Sequence, residues 1–165
     1  MKMDMAPILS GKTTTLPVDY PLMLESSFPQ TTFTAPASVK GEIRNSAGYI
    51  SLRCRLEAPY ETVCDRCLLP ITRTLTIDFD KTVAQEHTLE NEDSDDYVVI
   101  VGGELDIDPL LTEEVILEFP SKHLCKDDCK GLCPKCGKDL NDGPCTCTEE
   151  RHDPKWDAIR AKLNP

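Results

Sequence analysis

Nowhere in the chain do eighteen apolar residues run together, and the opening MKMDMAPILSGKTTT holds no apolar stretch long enough for a signal-peptide core. No spanning helix and no membrane partner are therefore expected, and the chain reads as cytoplasmic and reduced. Positive charge is in deficit, with 18 Lys and Arg against 29 Asp and Glu and a formal net charge of −11. A field of that sign repels phosphate at long range, which argues against nonspecific attraction to nucleic acid. Histidine is scarce, at three residues. No Ser/His/Asp order, phosphate-cradling glycine loop or paired-carboxylate site stands out, so neither an enzyme nor a small-molecule substrate is expected. Internal repeats and low-complexity tracts are absent.

What is present in excess is cysteine. Six of the nine cysteines fall in CKDDCKGLCPKCGKDLNDGPCTC, residues 125–147. A chain of 165 residues can bury a hydrophobic core without covalent staples. In a reduced compartment, clustered thiols are read as metal ligands or redox centres before disulfides.

The rest of the chain reads as antiparallel sheet. SVKGEIRNSAGYISLRCRLE, residues 38–57, holds two alternating runs separated by Asn45, Ser46, Ala47 and Gly48, which is hairpin punctuation. Ile50, Leu52, Cys54 and Leu56 share one face, which makes Cys54 a small buried hydrophobe rather than a ligand. Residues 71–79 alternate again, and Tyr97 to Val101 suit a buried strand before Gly102 and Gly103. Asp108-Pro109 starts a helix, with Asp as the cap, and Pro120 stops it. A second Asp-Pro, at Asp153 and Pro154, opens a terminal helix with Trp156, Ile159 and Leu163 on one side. ENEDSDD, residues 90–96, is a solvated acidic loop that lacks the spaced ligands of a calcium loop.

The expected architecture is α+β: an antiparallel sheet or partial barrel, about two helices and a cysteine-rich zinc-knuckle segment. We divide the single domain into an extended segment 1–37, a β-rich core with a helix 38–120, the cysteine-rich segment 121–150 and the terminal helix 151–165.

Cys64 and Cys67 form one C-x2-C and Cys133 and Cys136 another, a spacing that points two thiolates at one centre ~2.3 Å from each. Gly137 suits the turn. Two such knuckles far apart in the chain are the arrangement of a zinc ribbon. With Cys125, Cys129, Cys145 and Cys147, eight cysteines suffice for two four-thiolate sites, and zinc, two structural ions, is the expected cofactor. Two partitions stay open: Cys64 and Cys67 with Cys125 and Cys129, or the two knuckles together. Cys129, Cys133 and Cys136 also read C-x3-C-x2-C, an iron–sulfur spacing, but the chain is too short for the barrel that carries it elsewhere. Neither C-x2-C opens a helix after a buried parallel strand, where a helix dipole would activate a redox thiol. His123 is the one plausible substitute ligand; His87 and His152 are not.

CDRC in a β region, IDPLLTEEVILEFP, LCKDDCKGLCPKCGKDLN, a C-x-C pair and a terminal helix opened by Asp-Pro together resemble the YceD family, the large ribosomal RNA subunit accumulation proteins. The resemblance implies a factor in ribosome biogenesis, needed for normal accumulation of large-subunit ribosomal RNA. Its partner would be a precursor of that RNA or a ribosomal or assembly protein. Candidate RNA contacts are Arg53, Arg55, Arg66 and Arg73 near the first knuckle and Lys126, Lys130, Lys135 and Lys138 near the second. The alternative is a protein-binding adaptor whose acidic loop 90–96 docks a basic ribosomal protein.

Overall fold

A computed structural model describes residues 1–25, 28–85 and 97–147. Its elements run β1 (Lys2–Asp4), α1 (Ala6–Leu9), β2 (Thr15–Leu22), β3 (Thr32–Phe33), β4 (Ala37–Ser46), β5 (Tyr49–Val63), β6 (Pro70–Gln85), β7 (Tyr97–Ile100), β8 (Glu104–Asp106) and α2 (Asp108–Glu118). A six-stranded sheet has the order β2-β4-β5-β6-β7, with β3 on β5, and β1 pairs β8 in a separate ribbon. The sheet does not close into a barrel.

The hairpin expected around residues 45–48 is a tight one. Ala47 and Gly48 both have positive φ, 54° and 94°, which matches the twist that two-residue hairpins need. The Asn45 side chain accepts the Gly48 N–H at 2.9 Å. Along β5 every second residue from Ile50 to Thr62 is buried, and the alternation runs on to fully buried Cys64. The inward face of a core strand therefore delivers the first cysteine of the first knuckle.

Three features differ from the sequence reading. The pairing is mixed rather than wholly antiparallel, because β7 lies parallel to β6. Asp108 does not cap α2. It is the first residue of the helix, and its carboxylate accepts the Tyr20 hydroxyl at 2.8 Å. Burial and that bond both hold the Tyr20 hydroxyl well above the usual phenol range. Finally, the extended segment 1–37 is also anchored in the core at its start. Met5 and Ile8 are fully buried, and β2 pairs with β4 over eight residues as an edge strand that tolerates Pro17 and Pro21.

Among the described residues no helix is long and apolar enough to cross a membrane. The acidic stretch 90–96, His87, His152 and the expected terminal helix with Trp156, Ile159 and Leu163 lie outside the described residues.

Candidate metal centres

The turn joining β5 to β6 is itself a knuckle. The last pair of the hairpin is Val63 with Pro70, and the loop between them carries Cys64 and Cys67. Cys64 N–H donates to the Leu69 carbonyl at 2.8 Å, and Leu68 N–H returns to the Cys64 carbonyl at 2.9 Å. The second knuckle repeats this: Cys133 N–H donates to Lys138 at 2.8 Å and Gly137 N–H to Cys133 at 2.9 Å. The residue after the second cysteine takes positive φ in both, 60° at Leu68 and 73° at Gly137. Only one of the two is glycine. Leu68 is 57% exposed, so Leu68→Gly removes a strained left-handed leucine with little loss of packing. That variant is expected to gain about 1 kcal/mol in urea titration, the cost of a left-handed non-glycine residue; a loss would mean the strain is absent.

The eight cysteines gather into two fours, Cys64, Cys67, Cys125 and Cys129, and Cys133, Cys136, Cys145 and Cys147, with all sulfurs of a group within 4.8 Å of one another. Donors ~2.3 Å from a tetrahedral ion stand about 3.8 Å apart. Cys64 and Cys129 are separated by 3.8 Å, Cys67 and Cys125 by 3.6 Å, and Cys133 and Cys145 by 3.4 Å. None of the nine thiols is bridged. The spacing and the all-sulfur donor set fit thiolate-bound metal ions and are compatible with zinc. Of the two partitions, the structure adopts the one that keeps Cys64 and Cys67 with Cys125 and Cys129.

Charge within each group is uneven. Burial alone would raise the Cys64 thiol, but backbone N–H groups of Cys125, Cys67 and Arg66 outweigh it and bring it down to about 6. Backbone N–H groups of Cys136 and Lys135, with the Cys145 thiol, likewise bring Cys133 to about 6. Burial and the Cys67 sulfur push Cys125 up to about 12; the Cys136 sulfur and burial do the same to Cys147. Four crowded sulfurs cannot all be anions unaided, and a divalent cation at the centre removes that obstacle.

The polar groups that hold the first centre come from two distant segments, residues 65–73 and 123–132. Asp65 and His123 exchange hydrogen bonds: the Asp65 N–H donates to the His123 carbonyl at 2.8 Å, and the His123 N–H to the Asp65 carboxylate. Arg66 donates to the Cys129 carbonyl at 2.6 Å while its own carbonyl accepts Leu132 N–H at 3.0 Å. Arg73 reaches the Leu124 carbonyl at 3.1 Å. Leu124 and Leu132 close over Cys64, Cys67 and Cys129 as a small apolar cluster.

One residue that sequence reasoning missed reaches the first centre from the loop between Cys136 and Cys145. Asn141, in the short 3-10 turn Leu140–Asp142, donates from Nδ2 to Cys129 Sγ at 3.4 Å and accepts Lys130 N–H at 2.9 Å. Its carboxamide is the largest influence lowering the Cys129 thiol. Asp139 fixes its orientation, accepting both Asn141 N–H and Nδ2–H, at 2.8 and 2.7 Å. Asn141→Ala is expected to weaken metal binding at the first centre about 10- to 100-fold, the usual effect of losing a donor behind a ligand. Competition against a chromophoric chelator reads this; unchanged affinity would make the contact incidental.

The family model described as large ribosomal RNA subunit accumulation protein YceD matches residues 52–161. The chain belongs to the YceD family. The match takes in all eight clustered cysteines. An uncharacterized protein of Mycobacterium tuberculosis is 31% identical over 110 residues, 66% of this chain and 53% of that protein. YlbN of Bacillus subtilis, also uncharacterized, is 28% identical over 106 residues, 64% of this chain and 61% of YlbN. The chloroplastic large ribosomal RNA subunit accumulation protein YCED homolog 1 of Arabidopsis thaliana is 40% identical over 50 residues, 30% of this chain and 16% of the plant protein. The chain thus spans about half the length of the mycobacterial relatives it matches. No solved structure matches it.

In this YceD chain the arginines singled out as RNA contacts have partners within the protein. Arg53 pairs with Asp80 at 3.0 Å and Arg55 binds Asp78 through two bonds, 2.7 and 3.0 Å, each directly across the β5–β6 ladder. The Arg55 guanidinium holds the Asp78 carboxyl below its ordinary value. Arg66 and Arg73 bind the backbone of the cysteine-rich segment, as described. Lys126, Lys130, Lys135 and Lys138 are exposed around the two centres, and Lys138 Nζ donates to the Pro144 carbonyl at 3.0 Å. His123 belongs to neither group of four. It packs against Tyr60 and Phe119, with Nδ1 3.5 Å from the Tyr60 hydroxyl. Cys54 lies in the main core, where burial pushes its thiol up to about 11.

Proposed function

We propose that this chain is a non-enzymatic factor that supports accumulation of large-subunit ribosomal RNA in the cytoplasm. In this reading two structural zinc ions brace the end of its sheet. The observation that carries it is the membership of the YceD family through the segment that holds both cysteine groups. Each centre is read as closed, with four thiolates and no position left for substrate, which suits bracing rather than chemistry.

Two lines bear on the partner. With the four arginines engaged internally, direct RNA contact falls to Lys126, Lys130, Lys135 and Lys138. A net charge of −11 and the internal arginine pairs favour the adaptor reading, in which a basic ribosomal or assembly protein is bound instead. Depletion of the protein should lower large-subunit ribosomal RNA relative to small-subunit RNA; an unchanged ratio would remove the ribosomal reading. Copurification before and after nuclease treatment separates the partners, since a protein partner survives digestion and an RNA-bridged one does not. For direct contact, affinity should fall with salt in proportion to the phosphates neutralised, and a flat response would exclude it.

A further inference from the structure

The two cysteine groups differ in how they are held. In the first, Cys64, Cys67 and Cys129 are buried, the donors come from two segments more than fifty residues apart, and Leu124 and Leu132 cover them. In the second, all four donors lie within residues 133–147, only Cys133 is buried and Cys136 is exposed. Its supports are local: Lys135 N–H on Cys133 Sγ at 3.4 Å, the backbone bonds of the knuckle, and Lys138 on Pro144.

Oxidation of a thiolate follows its access to the oxidant. We infer that Cys133, Cys136, Cys145 and Cys147 form a peroxide-oxidisable site that gives up its ion while Cys64, Cys67, Cys125 and Cys129 keep theirs. The inference rests on the metal reading above. Cys136, the exposed thiolate, attacks one oxygen of hydrogen peroxide. An S–O bond forms, the O–O bond breaks, and the departing hydroxide takes a solvent proton to become water. A second thiolate of the group, within 4.8 Å, then attacks the Cys136 sulfur. The S–S bond forms, the S–O bond breaks, and a second hydroxide leaves as water. Two electrons pass from two sulfurs to one peroxide, and the ion loses two of its four donors.

The test uses the full metal-loaded chain, with its metal content measured first, and stoichiometric hydrogen peroxide. Ion release is followed by a chromophoric chelator and disulfides are mapped by mass spectrometry at each time. One ion per chain should leave about tenfold faster than the other, in line with exposure-controlled reactivity. The disulfides present at that point should join only positions among 133, 136, 145 and 147. Release of both ions in one phase, a first disulfide involving Cys64, Cys67, Cys125 or Cys129, or retention of both ions would overturn the assignment. A chain that carries no ion before peroxide is added would overturn it together with the metal reading, and the initial metal content tells the two failures apart.

Discussion

Stripping metal from the chain with a strong chelator is expected to raise amide exchange across residues 121–147 and at the β5–β6 turn at least about a thousandfold, while the sheet around Leu52, Leu56 and Ile77 keeps its protection. Beside the hydrogen bonds made by Asp65, Arg66, Arg73 and Asn141, the segment has little to hold its shape. Its apolar cluster consists of three cysteines with Leu124, Cys125 and Leu132, and its longest regular element is a three-residue turn. Structural zinc contributes about 10–16 kcal/mol in small knuckle peptides, and about 4 kcal/mol already changes a local opening equilibrium by a thousandfold. The sheet, by contrast, rests on a large continuous core to which the clustered cysteines do not belong. Elemental analysis of protein purified without added metal should give zinc near two equivalents, and exchange with mass spectrometry then compares loaded and stripped chains. An unchanged exchange pattern after complete metal loss would show that the cysteines support themselves.

The second large effect lies within the sheet. Gly41 faces Cys54 across β4 and β5, and a Cβ added there would stand 2.1 Å from the Arg53 carbonyl oxygen and 2.6 Å from the Cys54 Cβ. Those contacts are with backbone and a fixed side-chain root, so the strands must part. Gly41→Ala is expected to cost about 3 kcal/mol, the upper end of overpacking penalties. For a chain of this size that lowers Tm by about 6–12 °C. Gly48→Ala is the control, since nothing lies within 4 Å of its added Cβ and only its positive φ is penalised. Equal losses in the two variants would show that close strand approach is not what excludes a side chain at residue 41.

Much of this arrangement is legible in the residues. The alternation of Ile50, Leu52, Cys54 and Leu56 assigns Cys54 to the core, and the turn signal at residues 45–48 locates the first hairpin. The count of eight clustered thiols foreshadows two groups of four. Which four assemble is not legible, because C-x2-C is the same local turn in either partition. The choice is made by Asp65, Arg66 and Arg73 binding backbone more than fifty residues away. Arginine side chains carry no mark in sequence that separates an internal staple from a phosphate contact. Asn141 is equally silent, since its role depends on the loop that turns it toward Cys129. The parallel pairing of β7 and the buried Met5 and Ile8 were missed for a related reason: short segments carry too few residues for a period to show.

The β5–β6 turn that carries Cys64 and Cys67 also imposes a timetable on biosynthesis. Cys64 and Cys129 are 65 residues apart, whereas Cys133 and Cys145 are 12 apart. Closing the longer loop costs about 1.5 kcal/mol more in chain entropy. Cys64 leaves the ribosome long before its distant partners exist, so a nascent chain displays an incomplete thiol pair that any passing soft cation can occupy with the wrong companions. The local group, made entirely from one short stretch, has no such interval.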